Sequence, residues 1–416
     1  MFKRNIKKRL KKALSRSPVV LINGARQCGK TTLAQEIGQE KKYTYTTFDN
    51  ELTYLTAQSN MIGFIGGLEK PVIIDEIQRI PEIFRTIKLD VDNNRIPGRY
   101  LLTGSANPLL LPRLGDSLAG RMEIIDLMPL SQGEIGGIEE RFIDLVFSKK
   151  SLRSPKKPLP KQELYKKILT GGYPLVQNVS EEDRNEWIHS YVSLLLQRDI
   201  RDLAQVEKLI EFPNLLKILA ARTSGLLNFA ELSRESKVHS KTLNRYFSLL
   251  KTIFIINEQL PWHSTLIARY VKSPKTYFVD TGLLSYFLDL NLERALKDSM
   301  LMGKVLENFV VAELKKQATW NTTKVESFHF RTITGEEVDI ILEDRSGNVV
   351  GIEIKNSELA IAQDFKGLKY LKKEVGKRFI KGIVLYTGSQ YLAHDEDLYM
   401  LPVHALWENY SDLFKN

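Results

Sequence analysis

A glycine-rich segment near the N-terminus constrains the fold of this chain more than any other feature. Residues Gly24 to Thr32 match the pattern G-x-x-x-x-G-K-[ST], between the apolar run Val19 to Ile22 and the helical run Leu33 to Gln39. Glycines let the backbone curl so that successive N–H groups and the following helix terminus face phosphate groups. The sequence therefore predicts a P-loop between a strand and a helix.

The P-loop pattern predicts a role for the residues of this segment. Lys30 is expected to reach the β- and γ-phosphates of ATP or another nucleoside triphosphate, and the Thr31 hydroxyl to ligate Mg²⁺. Cys28 contributes only its N–H, and we assign its thiol no chemistry. The residues expected to line the phosphates are Gly24, Ala25, Arg26, Gln27, Cys28, Gly29, Lys30, Thr31 and Thr32.

Two further apolar runs end in polar side chains that suit the same site. Val72 to Ile74 is followed by Asp75, expected to hold the magnesium ion, and by Glu76, expected to orient and deprotonate the attacking water. Helix capping is the alternative role for these acids. The run Tyr100 to Leu102 precedes candidates to hold the water or the γ-phosphate, with turn formation as the alternative, namely Thr103, Ser105 and Asn107.

Arg121, in the segment Leu118 to Met122, is the candidate for the arginine that neutralises charge in the transition state of hydrolysis. A surface arginine with no catalytic role is the alternative. Such an arginine can belong to the same chain or to a neighbouring subunit, so a homo-oligomer remains an open possibility.

The order of these segments indicates several domains. Short apolar runs alternate with helical stretches over residues 18–130, which predicts an α/β domain with a doubly wound parallel sheet. The full length of 416 residues exceeds what one hydrophobic core usually serves. We predict a first domain at 1–147, an exposed proline-rich linker at 148–161, a helical domain at 162–298 and an α/β domain at 299–416.

The net charge of +10 is concentrated at the N-terminus, where the first 16 residues hold eight Lys or Arg and no acid. Residues Phe2, Ile6, Leu10 and Leu14 have helical spacing, so we expect a basic amphipathic helix packed on the first domain. An arm that contacts phosphates or anionic lipid is the alternative. The single cysteine and the absence of a long apolar run favour a cytoplasmic protein without a membrane span.

Segments spread over nearly the whole chain resemble a known family, the bacterial and archaeal AAA-type ATPases whose C-terminal half is described as domain of unknown function 4143. The resemblance implies an AAA-type ATPase core joined to a winged helix and a nuclease-like domain. The matching segments are Gly24–Thr32, Ile73–Gln78, Leu102–Ser105, Leu118–Arg121, Gly171–Pro174, Arg198–Ile200, Phe278–Leu283 and Gly351–Lys355.

The middle of the chain has helix-turn-helix spacing between Asn228 and Leu250. Lys241, Asn244 and Arg245 fall on the outer side of the second helix, where a recognition helix would meet double-stranded DNA. We expect the strands of the wing at Ile253–Glu258 and Lys275–Val279. Contact with another domain or protein is the alternative for this surface.

The last part of the chain resembles the restriction-endonuclease-like PD-(D/E)xK nucleases. Asp339 and Glu353 are expected to hold a second Mg²⁺, Lys355 to position water, and Glu307 to complete the metal shell. The alternative is a salt-bridge cluster in an inactive nuclease fold.

The leading hypothesis is thus a DNA-engaging ATPase that controls a nuclease-like module. A regulatory protein switched by nucleotide, with a non-catalytic nuclease-like domain, is the competing one. A peptide-remodelling or signalling ATPase that binds no nucleic acid is a third.

Overall fold

The computed structural model describes residues 1–105, 118–150, 152–153, 155, 157–200, 212–332, 334–359 and 361–410. The chain divides into two compact units. The N-terminal unit comprises Lys3–Pro129 together with Leu250–Ile255, and the C-terminal unit comprises Met1–Phe2, Leu130–Leu249 and Ile256–Asn416. Residues 130–147 therefore group with the C-terminal unit, while the domain limits predicted from the sequence stay predictions.

A parallel sheet forms the centre of the N-terminal unit. Its strands in spatial order are β2 (Thr44–Thr47), β3 (Val72–Asp75), β4 (Tyr100–Gly104), β1 (Val19–Asn23) and β5 (Met122–Asp126). Every residue of β1, β3 and β4 is buried, as expected for parallel strands covered by helices on both faces. The doubly wound α/β fold predicted from the alternating pattern is confirmed.

The described helices of this unit are α1 (Lys7–Leu14), α2 (Lys30–Lys41), α3 (Glu51–Ser59), α4 (Met61–Gly67) and α5 (Ile83–Asn93). The basic segment forms α1, which buries Leu10 and Leu14. Lys7 and Lys11 form ion pairs with Glu40 on α2, at 2.7 and 2.6 Å. Helix α1 is therefore packed on the unit, as its apolar spacing predicts.

The remaining described α-helices belong to the C-terminal unit, except that the last three residues of one of them, the helix Ser240–Thr252, group with the N-terminal unit. They are α6 (Gln132–Ile135), α7 (Phe142–Phe147), α8 (Lys161–Thr170), α9 (Glu181–Leu194), α10 (Phe212–Ala221), α11 (Phe229–Ser236), α12 (Ser240–Thr252), α13 (Leu266–Val271), α14 (Thr281–Phe287), α15 (Leu292–Lys297), α16 (Ser299–Trp320) and α17 (Lys366–Val375). A π-helical turn over Leu195–Ile200 continues α9.

A mixed sheet completes this unit. In spatial order its strands are β12 (Leu392–Ala393), β13 (Leu398–Pro402), β11 (Phe379–Tyr386), β10 (Val349–Lys355), β9 (Glu337–Asp344), β8 (Val325–Arg331), β6 (Ile256–Pro261) and β7 (Lys275–Phe278). Helix α17 connects β10 to β11, and these two strands are parallel. Strand β9 lies antiparallel to β10, with Ile340 opposite Ile352.

Two expectations about the part of the chain after residue 147 need correction. The first strand of the predicted wing begins at Ile256 rather than at Ile253, because α12 continues to Thr252 and Phe254 adopts a positive φ of 61°. In the predicted exposed linker, Leu152 and Pro155 are buried. The Lys381 ammonium also donates to the backbone oxygens of Val146 and Ser148, so the start of this segment is held by the sheet.

Candidate functional site

The P-loop follows β1 at the carboxyl edge of the parallel sheet. Gly24 has a φ of +153°, and a Cβ atom there would lie 2.0 Å from the backbone oxygen of Leu127. Gly29 has a φ of +97° and directly precedes α2, which begins at Lys30. Both glycines are therefore required by the backbone path, since side chains are strained at such φ values and the first position has no room for one.

Lys30 and Thr31 point into the site. The Lys30 side chain is 5% exposed, and its ammonium donates to the backbone oxygen of Ala25 at 2.8 Å, within the loop itself. The Thr31 hydroxyl lies 2.9 Å and 3.0 Å from the two carboxylate oxygens of Asp75. The structure thus brings the loop and the end of β3 together, as the sequence predicts.

Asp75 accepts further hydrogen bonds from neighbouring strands. The Thr103 hydroxyl on β4 donates to Asp75 Oδ1, and the Tyr45 hydroxyl on β2 donates to Oδ2 at 2.9 Å. Burial and the Asp75 carboxylate raise the pKa of Tyr45 to about 12, so this phenol stays a donor at neutral pH. Asp75 is therefore fixed by hydroxyl groups from three separate segments.

Glu76 follows Asp75 and has a positive φ of 57°. Its backbone N–H donates to the Thr103 hydroxyl at 3.2 Å, and the Gln78 amide donates to its carboxylate. Gln78 also donates to the Ser105 hydroxyl at 2.9 Å. Burial raises the pKa of Glu76 above that of an ordinary glutamic acid, while the charge of Lys30 lowers it.

Arg4 supports the P-loop from the side of the N-terminal segment. Its guanidinium donates to the backbone oxygen of Cys28 at 2.8 Å and to that of Met128 at 2.5 Å, and the side chain is 7% exposed. The Cys28 thiol is buried and lies 3.3 Å from the Leu127 oxygen. Arg4 thereby connects the loop to the segment that follows β5.

Arg121 does not lie at this site in its own chain. It immediately precedes β5, whose first residue, Met122, lies opposite Val19 at the start of β1. The P-loop follows the other end of β1, a strand length away, or about 16 Å. The Arg121 guanidinium instead forms an ion pair with Asp92. The strand direction thus excludes Arg121 from the phosphate edge, whereas Arg26 is near enough to lower the pKa of Glu76.

The predicted residues of the second site also come together within the C-terminal unit. Asp339 Oδ2 accepts from the backbone N–H of Ile354 at 2.8 Å, which ties β9 to β10. The Lys355 ammonium donates to Glu353 Oε1 at 2.7 Å. Within the described part of the chain, Glu353 Oε2 is buried without a hydrogen-bond partner. Burial and the Asp339 carboxylate raise the pKa of Glu353 to about 8.

Glu307 is engaged by residues that the sequence analysis did not select. The Lys275 ammonium lies 2.9 Å from Glu307 Oε1, and the Tyr277 hydroxyl donates to the same oxygen at 2.7 Å. Burial and Asp339 raise the pKa of Glu307 to about 7 despite the nearby Lys275. In the described ranges, no group of three or more His, Cys, Asp or Glu side chains is arranged to hold a metal ion. A role of Glu307 in completing a metal shell stays a prediction.

The polar face of the predicted recognition helix α12 is exposed. Lys241, Asn244 and Arg245 are exposed, whereas Leu243 and Phe247 are buried. Helix α11 ends at Ser236, the following residue Lys237 has a positive φ of 57°, and α12 begins at Ser240. The hairpin of β6 and β7 follows in the chain, and Leu226 bridges to Lys275.

Comparison with known proteins identifies the family to which the chain belongs. Residues 16–136 match the family described as "AAA domain", and residues 302–406 match the domain of unknown function DUF4143. Residues 161–294 match a further domain of unknown function, DUF8612. Uncharacterized proteins of Mycobacterium bovis and Mycobacterium tuberculosis are each 31% identical over 357 residues, which is 85% of this chain and 74% of theirs. The chain belongs to this family of AAA-domain ATPases.

Several solved structures are more distantly similar to this AAA-domain ATPase. A Walker-type ATPase of Pyrococcus abyssi is 17% identical, with a TM-score of 0.41, over 69% of this chain and 96% of that one. The RuvB Holliday junction branch migration motor of Thermotoga maritima is 21% identical, with a TM-score of 0.32, over 62% and 90%. AMPPCP-bound DnaA from Aquifex aeolicus is 14% identical, with a TM-score of 0.29, over 59% and 87%.

Sequence reasoning missed residues that reach the two sites from outside the motifs. Tyr45 and Arg4 reach the P-loop site, and Lys275 and Tyr277 reach the second one. The only available signal was the alternation in β7, which puts Lys275 and Tyr277 on one face.

Asn107 lies outside the described residues. Among the described helices, none has both the length and the apolar character needed to cross a bilayer.

Proposed function

We propose that this AAA-domain ATPase binds ATP and hydrolyses it in a magnesium-dependent reaction at the P-loop. The observation that carries the proposal is the hydrogen bond between the Thr31 hydroxyl and Asp75, with Glu76 next in the chain. A loop that binds phosphates, a carboxylate that suits a metal ion and a candidate base thereby belong to one site.

The oxygen atoms of Thr31 and Asp75 suit Mg²⁺, which prefers hard oxygen ligands. These two residues would hold the ion, and when bound it would neutralise charge on the β- and γ-phosphates of ATP. Lys30 now donates to a backbone oxygen of its own loop. In the complex we expect its ammonium to exchange that partner for phosphate oxygens.

Glu76 is the group that we expect to accept the proton of the attacking water. Gln78 donates to its carboxylate and to the Ser105 hydroxyl, so both neighbours help to orient it. Its raised pKa supports this role, because a base works best when its pKa approaches the working pH. We therefore assign Ser105 and Gln78 to positioning rather than to proton transfer.

The test is ATP turnover by wild type and by Glu76→Gln, each with and without duplex DNA. We expect Glu76→Gln to bind nucleotide with unchanged affinity and to turn it over about 10²- to 10⁴-fold more slowly. Glu82→Gln is the matched control, because it changes an exposed carboxylate six residues further along the chain. If Glu76→Gln turned ATP over at the wild-type rate, Glu76 would be excluded as the base.

A second candidate function is DNA binding coupled to a metal-dependent nuclease-like activity. It is supported by the exposed basic side chains of α12 and by Glu353 Oε2, which is buried without a hydrogen-bond partner in the described structure. Asp339 and Glu353 would hold a divalent cation, whose role is to stabilise charge on a phosphodiester. Lys355 would position the water.

The competing regulatory function predicts the same fold without cleavage. Magnesium-dependent nicking of duplex DNA by the purified protein separates the two, since the regulatory hypothesis predicts no nicking at any magnesium concentration. Stimulation of ATP turnover by DNA without nicking would favour the regulatory function and retain DNA as partner. Turnover that is insensitive to DNA would favour an ATPase that acts on proteins. The cytoplasmic location and the homo-oligomer stay predictions.

A further inference from the structure

Lys275 lies within the acidic site of the C-terminal unit, although the sequence indicated only that it begins a strand of the wing. It is the first residue of β7 and is 3% exposed. Its ammonium lies 2.9 Å from Glu307 Oε1, 2.8 Å from Glu337 Oε1 and 4.0 Å from Asp339 Oδ1. A buried lysine facing three carboxylates is a fixed internal cation.

The backbone around Lys275 holds it in this position. Strand β7 pairs with β6, where Gln259 lies opposite Lys275, and Leu226 forms an additional bridge to Lys275 from the other side. The Tyr277 hydroxyl, two residues along the same strand, shares Glu307 with the lysine. The ammonium is thus placed by the sheet rather than by a flexible loop.

The charges of the cluster do not balance. When its four carboxyl groups are all ionised, they outnumber its two ammonium groups by two, which equals the charge of one divalent cation. The members of the cluster are Glu307, Glu337, Asp339, Glu353, Lys275 and Lys355. The oxygen left without a hydrogen-bond partner in the described structure is Glu353 Oε2.

We propose that Lys275 takes the place of a second metal ion, so that the site accepts one divalent cation, between Asp339 and Glu353, and not two. The inference rests on the proposed metal-binding role of these two acids. One divalent ion would neutralise the cluster, whereas two would leave it with an excess of positive charge next to a buried ammonium. Lys275 and Tyr277 both already bind the same oxygen of Glu307, Oε1.

The test counts Mn²⁺ ions bound by the nucleotide-free full-length protein, measured by the loss of the free-ion signal in electron paramagnetic resonance. Asp339→Asn identifies ions of this site, because it leaves Asp75 and the P-loop unchanged. We expect Asp339→Asn to bind one ion fewer than wild type. Two ions fewer would overturn the role of Lys275 and keep the metal site. No difference would overturn the metal site itself, and the inference with it.

Lys275→Met supplies a second measurement, because methionine keeps most of the side-chain length and removes the charge. We expect this variant to bind one Mn²⁺ more than wild type. Lys304→Met, an exposed lysine on α16, is the matched control and should bind the wild-type number. A folded Lys275→Met protein with the wild-type number would overturn the inference. If that variant does not fold, the wild-type and Asp339→Asn counts still decide.

Discussion

Replacing Arg4 by methionine is expected to weaken nucleotide binding by about 10- to 100-fold. The Arg4 guanidinium donates to Cys28 O in the P-loop at 2.8 Å and to Met128 O at 2.5 Å. A hydrogen bond from a charged donor contributes about 1.5–3 kcal/mol. Methionine has a similar length but donates no hydrogen bond. Only the bond to Cys28 acts on the phosphate loop, and each 1.4 kcal/mol corresponds to about a tenfold change in Kd.

Titration with a fluorescent ATP analogue measures this effect directly. Arg16→Met is the matched control, because Arg16 lies in the same N-terminal segment but pairs with Glu123 at the surface, at 2.8 and 2.6 Å. Its Kd should equal that of wild type. The argument fails if Arg4→Met is folded, by circular dichroism, and still binds the analogue with wild-type affinity. It also fails if both variants lose affinity equally.

Two further predictions concern the C-terminal unit. Changing Lys241 and Arg245 to alanine should weaken duplex DNA binding and lower the slope of log K against log salt by about one per lost phosphate contact, and an unchanged slope would exclude this face of α12. Lys304→Ala should leave that slope unchanged. If the nuclease-like site is active, Lys355→Ala should reduce magnesium-dependent nicking by at least about 100-fold, and full nicking by the variant would remove Lys355 from the mechanism.

The central strands of the N-terminal unit were predictable because burial on both faces leaves a continuous apolar run. The predicted runs beginning at Val19, Val72 and Tyr100 are the starts of β1, β3 and β4. Strand β2 was not predicted, because its sequence Thr-Tyr-Thr-Thr is polar and the strand lies at the sheet edge, only partly buried. Because β2 lacks an apolar run, only its pairing with β3 in the structure identifies it as a strand.

Residues of the candidate sites could be predicted where they belong to short sequence motifs. The residues of the P-loop and the end of β3 are defined by short segments, and the structure brings Thr31 and Asp75 together. Arg121 could not be placed from its motif, because its distance from the loop depends on the direction in which β5 runs beside β1. Lys275 could not be found, because it reaches Glu307 only through the pairing of β6 with β7.

The two sites differ in how easily their internal partners can be exchanged for a ligand. At the P-loop, the partners of Asp75 and Glu76 are neutral hydroxyl and amide groups, and each such hydrogen bond stabilises by only about 0.5–1.5 kcal/mol. At the second site, the partner of Glu307 is a buried ammonium, and removing one member of a buried ion pair destabilises by about 3–5 kcal/mol. Rotation of a few polar groups can therefore open the P-loop site, whereas a second metal ion would have to displace Lys275 from a position that the sheet itself holds.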